Sequence, residues 1–435
     1  MLKNLVFTRE SGPRPEPLVN KGVINLKRLH FDKLIFGDKV LWVIIAILAI
    51  ISVLVVFSST AKMAYDISHT NSSWWYLMMQ MAFLSASMLA LVFLHRYGVD
   101  RYGDFSLWIL ITCLLLTGLT YFIGSTTNGA ARWLPLGPIR IQPSEALKIA
   151  LVLYLSKIIA VKQTRVHQIV LIPIFMKLTK AKRMQIFLNN TLYIVLPIYA
   201  SVAVILFAHT SSAVLLFLVS MLILLIAGFK KIEILKVVFI AFIFAMLFTL
   251  IGLGRSSTAT GRFSTWIESW SDNRTEIRVD NLSDTERSMV AIHNGEILGK
   301  GAGQSDMRVE MIHPESDYAF AFFVEEYGLI LSVVLLLLYL WIFFRSMWIY
   351  ERAKEPFHQL LVINLALLIV VQALLHVMVA VNLLPETGQN LPLVSRGGSA
   401  MFCTYMAFMM ILSVSAKNDE QAKIKSSLGG SQRAK

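Results

Sequence analysis

The sequence contains little charge and almost no cysteine. Charged residues make up 15% of its 435 residues, whereas about 25% is usual for a soluble globular domain. This deficit, together with a hydrophobic content of 56%, excludes an ordinary soluble domain. The composition indicates an integral membrane protein.

The two cysteines, Cys113 and Cys403, both fall within long apolar runs. This placement argues against a disulfide framework and against a thiolate metal site. None of the nine histidines belongs to an HExxH sequence or to another common metal-ligand spacing. We therefore expect neither zinc chemistry nor redox chemistry.

Long apolar runs fill most of the chain. A helix needs about 20 apolar residues to cross a bilayer, and ten runs come close to that length: residues 40–58, 75–94, 104–123, 143–160, 191–208, 211–229, 233–253, 318–344, 358–381 and 398–415. The pattern predicts an all-α integral membrane protein whose ten transmembrane helices form one domain, residues 39–416. The polar ends, residues 1–38 and 417–435, are expected to be flexible cytoplasmic tails.

Lysine and arginine are concentrated in the short loops on the side of the two termini. An even number of spans places both termini on one side of the membrane, and this excess of basic residues makes that side cytoplasmic. The long polar loop between helices 7 and 8, residues 254–317, then faces outward. A basic cytoplasmic face beside anionic lipid accounts for the net charge of +13, so no nucleic-acid partner is expected.

The first outer motif pairs two charges at the start of a span. Glu145 and Lys148 are three residues apart, which places them on one face of a helix that begins near Pro143. One interpretation is a helix cap with a self-neutralising ion pair. The other is a functional cavity, because ionisable groups just inside a membrane are costly and usually functional.

The last outer motif is an irregular segment that runs into the final span. It is rich in proline and glycine and ends in Ser395, Arg396, Gly397, Gly398 and Ser399. Irregular backbone at membrane depth is tolerated only against protein or a watery cavity, and the start of the following helix offers free N–H groups to an anion. A re-entrant turn without a ligand is the alternative.

The long loop carries a glycine-rich turn around Lys300, and two carboxylates, Glu325 and Glu326, follow within an apolar span. The glycines match neither a P-loop nor a dinucleotide fingerprint. A charged loop is usually a solvated surface, but a carboxylate inside a span needs a specific partner.

These blocks, in this order and on one side of a ten-span chain, resemble the SEDS family of cell-wall polymerases over residues 41–416. The matching motifs are Gly129-Ala-x-Arg-Trp133 with Gln142-Pro-Ser-Glu-x-x-Lys148, then Gly299-Lys-Gly-x-Gly303, and then Leu391-Pro-x-x-Ser-x-Gly-Gly-Ser399. The resemblance implies an inverting glycosyltransferase that polymerises lipid II, the undecaprenyl-diphosphate-linked disaccharide-pentapeptide. It also implies a class B penicillin-binding protein as crosslinking partner, and other membrane proteins of the division machinery.

The family's essential acid lies in the long loop after an Arg…Trp pattern, which the resemblance matches to Arg262 and Trp270 and which places the acid at Asp272. Asp280 and Asp284 are alternatives, because this loop departs from the family pattern just after them. The cations available for the lipid diphosphates are Arg132, Arg140, Lys148, Lys300 and Arg396. No cofactor is implied with certainty; a divalent cation, Mg²⁺ or Mn²⁺, is a candidate helper at the diphosphate.

Within the family, the Ser-Ser-Ala that ends Ala208-His-Thr-Ser-Ser-Ala213 favours a division member, active at the septum of the bacterial inner membrane, over an elongation member. The same segment lacks the acid that the family often has there, and Arg396 replaces a usual aromatic residue. Two other functions stay open. A flippase would use the same cations to pass the diphosphate but needs no base, and a scaffold needs neither the buried pair nor the loop acids.

The predicted topology is tested by labelling single cysteines in a background without Cys113 and Cys403. A cysteine at Asn273 should react with a membrane-impermeant reagent in intact cells, and a cysteine at Lys180 only after permeabilisation, because the basic loops face the cytoplasm. The measurement is the labelled fraction on each side. Reversed labelling would overturn the orientation.

Overall fold

The computed structural model describes residues 36–60, 73–127, 130–136, 139–173, 179–250, 256–271, 282–311 and 314–433. Residues 37–433 belong to one compact unit. Residues 1–35 of the predicted N-terminal tail, 1–38, lie outside the described residues, and so do Asp272 and Asp280.

Helices dominate the described chain. The first half contains α1 (Lys39–Ser59), α2 (Ser73–Leu94), α3 (Val99–Asp104), α4 (Ser106–Ile123), α5 (Pro143–Lys162), α6 (Lys180–Ile186), α7 (Leu196–Ala208) and α8 (Thr210–Ile226). The second half contains α9 (Lys231–Leu250), α10 (Ser256–Ser271), α11 (Asp284–Gly295), α12 (Met307–Glu310), α13 (Ala319–Arg352), α14 (Pro356–Ala380) and α15 (Gly398–Arg433). Short 3₁₀ turns cover His95–Tyr97 and Gln163–Gln168, and a π-helix, Phe187–Val195, joins α6 to α7.

Seven of the helical stretches are long and apolar enough to cross a membrane: Lys39–Ser59, Trp74–Tyr97, Ser106–Ile123, Lys180–Phe207, Ala319–Arg352, Pro356–Ala380 and Gly398–Ile424. Helices also occupy the other three predicted segments. Of these, α5 carries four charged residues, α8 has 17 residues, and α9 begins with three charged residues within six. The helical membrane fold is confirmed, whereas the count of ten crossings stays a prediction.

A small antiparallel sheet precedes α5, in a segment for which the sequence analysis predicted no strand. Its strands are β1 (Ser125–Thr127), β2 (Ala130–Leu136) and β3 (Ile139–Ile141), in the order β1-β2-β3. Leu134 pairs with Ile141 across the second hairpin. The sheet therefore leads the chain directly to Gln142, the N-cap of α5, where Pro143 takes the first helical position.

The centre of the bundle is formed by α5, α14 and α15. In both α14 and α15, 72% of the most apolar stretch is buried against other parts of the protein. The predicted C-terminal tail, residues 417–435, begins as a continuation of α15, which runs without a break as far as Arg433. Lys417 explains part of this order, since its ammonium binds Asp100 at 2.7 Å and Glu355 at 3.0 Å.

Polar contacts tie the helix ends together at the end of the bundle that the sequence assigns to the cytoplasm. Asp38 caps α1 by accepting from Val40 N at 2.9 Å, and it also binds Arg345 near the end of α13 at 2.6 Å. At the same end of the bundle, His358 at the start of α14 contacts Asp100 of α3 at 2.7 Å. The contact between Asp38 and Arg345 thus joins the start of α1 to the end of α13, as expected for antiparallel helices.

Helix α13 is kinked at Gly328, whose φ is +79° and ψ is 173°. The glycine-rich turn before α12 satisfies the backbone groups that the kink frees. Lys300 N and Gly301 N donate to the carbonyls of Glu325 and Glu326, each at 2.9 Å, and Leu329 N donates to the carbonyl of Glu296 at 3.0 Å. The segment before this turn lies so close to α13 that a Cβ at Gly328 would be 2.4 Å from the carbonyl oxygen of Ile297.

Gly328→Ala should lower the free energy of unfolding by about 1–3 kcal/mol, because it adds an unfavourable φ to a backbone clash. The measurement is thermal unfolding of the purified protein in detergent. The matched control is Gly118→Ala in α4, where a Cβ meets nothing within 4 Å and alanine is the better helix former. Equal effects of the two substitutions would contradict the role of the kink.

Candidate functional site

The centre of the site is an ion pair in the first two turns of α5. Lys148 Nζ lies 2.8 Å from Glu145 Oε2, and the two side chains are 2% and 10% exposed. The pair forms because residues three apart share a helix face. Its burial argues against a solvated cap, because a charge in the interior is retained only with a partner and further hydrogen bonds.

Two glutamines complete the surroundings of Lys148. Its ammonium donates to Gln372 Oε1 on α14 at 3.3 Å and to Gln389 Oε1 in the loop before α15 at 3.5 Å. Gln389 Nε2 in turn donates to Ser212 Oγ at the start of α8, at 2.7 Å. One buried cation thus links α5, α14, α8 and the last outer motif.

His376 on α14 also binds the loop that carries Gln389. Phe320 N donates to His376 Nε2 at 3.3 Å, so the proton of the neutral ring resides on Nδ1, which donates to the carbonyl of Gln389 at 2.7 Å. Gln372 and His376 are functional candidates that the sequence analysis missed. Their signal was present, since both are polar, lie within an apolar span and are spaced by one helical turn.

The last outer motif folds as a compact turn against neighbouring segments. Ser395 Oγ accepts from Leu391 N at 2.8 Å and donates to the carbonyl of Ser316 at 2.9 Å. Ser399 Oγ accepts from Gln142 N at 3.2 Å, which brings this motif to the start of α5. The first and last outer motifs, far apart in sequence, therefore meet here.

Arg396 extends from this turn along the protein surface. Its guanidinium lies 3.8 Å from Glu315 Oε1 and 4.4 Å from the ring centre of Tyr76, an arrangement that fits a cation–π contact. Gly397 and Gly398 permit the tight packing that follows, because a Cβ would lie 2.8 Å from Asn390 Nδ2 or 2.6 Å from the ring of Phe83, respectively.

Lys300 of the glycine-rich turn contacts two carboxylates, and its role in binding a diphosphate stays a prediction. Lys300 Nζ lies 2.5 Å from Asp306 Oδ2 and 3.6 Å from Glu325 Oε1. The hydrogen bond to Asp306 raises the pKa of the Lys300 ammonium. The described contacts of Lys300 thus stabilise the turn, and none of them joins it to Lys148.

The two carboxylates inside α13 accept hydrogen bonds from that turn. Glu325 Oε1 accepts from Asp306 N at 3.2 Å, and its other oxygen accepts from Ser305 Oγ. Glu326 Oε1 accepts from Gly303 N at 2.9 Å and from Ser58 Oγ at the end of α1, at 2.5 Å. This network is the specific partner that carboxylates in an apolar span were expected to need.

Helix α10 of the long loop is docked on the segment that follows α14. Trp266 Nε1 donates to the carbonyl of Asn382 at 3.1 Å, and Asn382 Nδ2 donates to Ser269 Oγ at 3.1 Å. Arg262 Nε lies 3.5 Å from Glu386 Oε2. The last residue of α10, Ser271, directly precedes the predicted acid in the sequence.

Of the three acids considered for the base, only Asp284 lies within the described residues. It opens α11, where Ser283 and Glu286 form a capping box, and its Oδ1 lies 3.3 Å from Arg287. The Asp284 carboxylate is therefore already paired with a cation.

Two of the predicted diphosphate cations lie in the small sheet. Arg132 is in β2 and Arg140 is in β3. Arg140 is exposed and lies opposite Pro135 in the strand pairing.

One group with metal-ligand geometry occurs among the described residues, and it lies at the other end of the bundle. It consists of Asp100, Glu355 and His358. The ammonium of Lys417 already bridges the two carboxylates. Burial would raise the pKa of Asp100, but hydrogen bonds from Lys417 and His358 outweigh it and hold this pKa below its usual value.

Removing one member of the central pair should destabilise the protein strongly. Glu145→Ala and Lys148→Ala each leave a buried charge without its partner, which typically costs about 3–5 kcal/mol. Thermal unfolding in detergent measures the loss. The matched control is Asp104→Asn, which breaks a 2.8 Å ion pair with Lys157 whose side chains are 67% and 33% exposed and should cost at most about 1 kcal/mol. Similar losses would contradict the burial argument.

Comparison with known proteins gives one family. The model of the FtsW, RodA and SpoVE family, described as "Cell cycle protein", matches residues 38–420. The probable peptidoglycan glycosyltransferase FtsW of Escherichia coli O6:H1 is 26% identical over 402 residues, which cover 90% of this chain and 89% of that protein. The protein of the same name from Geobacter metallireducens is 26% identical over 396 residues, or 90% and 97% of the two chains.

Solved structures share the fold. One chain of a peptidoglycan synthase complex, described for its coordination of polymerization and crosslinking, aligns with a TM-score of 0.63 at 18% identity over 88% of this chain and 98% of its own length. The rod shape determining protein RodA of Thermus thermophilus aligns with a TM-score of 0.57 at 20% identity over 87% and 96%. The resemblance inferred from the outer motifs is confirmed, and the chain belongs to the FtsW, RodA and SpoVE family of membrane-embedded cell cycle proteins.

Proposed function

We propose that this peptidoglycan glycosyltransferase polymerises lipid II into glycan strands during septal wall synthesis, with Asp272 as the general base. The observation that carries the proposal is the buried Lys148, held by Glu145 and Gln389 where the first and last outer motifs meet. Burying a cation costs free energy, and a buried ionisable group in a membrane protein is usually functional. A cation just beneath the outer surface is suited to bind an anionic group of the substrate.

The chemistry needs two things at this surface. A base takes the proton from the attacking sugar hydroxyl, and positive charge stabilises the departing diphosphate. Lys148, Arg396 and the N–H groups at the start of α15 are candidates for the second task. In-line attack then inverts the anomeric carbon without a covalent intermediate.

The base is assigned through the docking of α10. Its three contacts with residues 382–386 anchor the helix on the same loop that carries Gln389. Asp272 is the next residue after this helix. The sequence order therefore supports delivery of this acid to the surface above Lys148, whereas Asp284 is already paired with Arg287.

The described residues do not favour a Mg²⁺ or Mn²⁺ site near the diphosphate cations. Glu145 is paired with Lys148, Glu315 lies beside Arg396, and Glu325 accepts hydrogen bonds from the glycine-rich turn. Each of these three carboxylates thus already has a partner within the protein.

A flippase and a scaffold are less well supported. A flippase needs a polar route through the membrane, but beyond Lys148 the centre of the bundle contains fully buried apolar residues such as Leu151, Leu155 and Leu361. A scaffold does not require a buried ion pair at its centre. The site therefore fits an enzyme that works from one face.

The division role rests on the Ser-Ser-Ala after His209 and on relatives named FtsW. With it we propose a class B penicillin-binding protein as crosslinking partner, further membrane proteins of the division machinery, and a septal position in the bacterial inner membrane with both termini in the cytoplasm. An elongation role is the second candidate.

Asp272→Asn and Asp272→Ala should nearly abolish glycan synthesis from lipid II, because a general base typically contributes about 10²–10⁴-fold to a rate. Expression, membrane insertion and binding of the transpeptidase partner should be unchanged, since an exposed loop substitution usually alters stability by less than about 0.5 kcal/mol. The measurement is glycan product formed from labelled lipid II by the purified full-length protein with its partner.

Asp280→Asn and Asp284→Asn are the matched controls and should be much milder. If Asp272→Asn retains most of the activity while one control loses it, the base lies further along the loop. The same assay separates the rival functions: translocation of the lipid II headgroup without glycan product would indicate a flippase, and neither product nor translocation would indicate a scaffold.

A further inference from the structure

His209 separates α7 from α8 and is 4% exposed. Helix α7 ends at Ala208 and α8 begins at Thr210, so His209 is the N-cap of α8. Its Nδ1 accepts a hydrogen bond from Ser212 N at 3.2 Å. Serine, threonine, aspartate and asparagine are the usual side chains at this position, and here an imidazole takes their role.

The accepted hydrogen bond defines the protonation state of the ring. A ring nitrogen that accepts carries no proton, so the His209 imidazole is neutral and has its proton on Nε2. A second proton would turn Nδ1 into a donor that faces the Ser212 N–H, and would place a positive charge at the positive end of the α8 dipole. The cap therefore exists only while the ring is neutral.

The same ring packs against the loop before α15. A Cβ at Gly388, whose φ is +59°, would lie 3.6 Å from His209 Nε2 and 3.8 Å from Asp317 Oδ2. The imidazole and the carboxylate thus both lie beside this glycine, which directly precedes Gln389.

Two paths connect His209 to the central cation. The first runs through the side chain of Ser212, whose Oγ accepts from Gln389 Nε2 at 2.7 Å, and Gln389 Oε1 in turn accepts from Lys148 at 3.5 Å. The second runs through the backbone from Gly388 to Gln389. His209 thus fixes the amide that binds the Lys148 ammonium, and loss of the cap would loosen that amide.

Other titratable groups surround this network. They are Asp317 before α13, Glu386 in the loop before α15, Glu145 and Lys148 on α5, and His376 on α14. The end of α7, residues 200–208, and the second half of α9, residues 240–250, contain no titratable residue. Histidine is the side chain that ordinarily changes its charge between about pH 5 and 8. A change at His209 alone therefore separates its effect from that of His376.

We propose that His209 is a positioning residue for Lys148 and that it acts only as the neutral imidazole, so that protonation of the ring weakens binding of the anionic substrate group. The proposal rests on the proposed function in one respect, the binding of a diphosphate by Lys148. As the pH falls, protonation breaks the cap of α8 and releases Ser212, and Gln389 then no longer holds the ammonium in place. The Asp317 carboxylate stabilises the protonated ring by its charge, whereas the dipole of α8 opposes it.

The test is binding of undecaprenyl diphosphate to the purified full-length protein in detergent, titrated at about pH 8 and about pH 5.5, on either side of the usual titration range of histidine. At the lower pH the wild-type protein should bind about tenfold more weakly than His209→Asn. At the higher pH the two should bind equally, because the asparagine amide oxygen caps the helix at both pH values. The ligand titrates in the same way for every variant, so the comparison removes its own pH dependence.

His209→Ala removes the cap and should bind about tenfold more weakly than the wild-type protein at the higher pH. The matched control is Ser283→Ala, which removes the cap of another outer helix, α11, and should leave binding and its pH dependence unchanged. Thermal unfolding identifies a misfolded variant. If His209→Ala is misfolded, the comparison of the wild-type protein with His209→Asn decides.

Equal pH dependence of the wild-type protein and His209→Asn would overturn the proposal, and so would wild-type binding by a folded His209→Ala. Binding by His209→Asn that is as weak as that of His209→Ala would also contradict it. The double variant Glu145→Gln with Lys148→Gln, which keeps the pair neutral, should lose binding. If this double variant binds like the wild-type protein, the proposed role of Lys148 itself fails and the role of His209 fails with it.

Discussion

The ion pair between Glu145 and Lys148 is the interaction on which the arrangement around the site depends. An ammonium removed from water needs more than one partner, and its partners come from segments that are distant in sequence. Gln372 places α14, and Gln389 places the loop before α15. That loop also holds α10 and the turn around Ser395. A single buried charge thereby connects α5 and α14 with the loop that carries the last outer motif.

Several features followed from the sequence because they depend on local rules. Apolar runs predicted the helices, Pro143 marked the start of α5, and spacing predicted that Glu145 and Lys148 would share a face. The outer motifs identified the family. The role of each site residue stays a prediction, above all that of Asp272, which lies outside the described residues.

Other features depend on contacts between distant segments and could not be predicted in this way. The partnership of Lys148 with Gln389 spans 241 positions. The kink at Gly328 arises because the glycine-rich turn supplies its hydrogen bonds, which no rule based on neighbouring residues describes. The motif around Lys300 likewise did not predict its ion pairs with Asp306 and Glu325, and its role in binding a diphosphate stays a prediction.

The uninterrupted helix α15 has a mechanical consequence. Its 36 residues span about 54 Å at 1.5 Å per residue, from Gly398 beside the outer turn to Arg433 beyond the predicted cytoplasmic surface. A helix resists compression along its axis, and Lys417 fixes the axial position of α15 against Asp100 and Glu355. A force applied near Arg433 is therefore transmitted along α15 to the last outer motif.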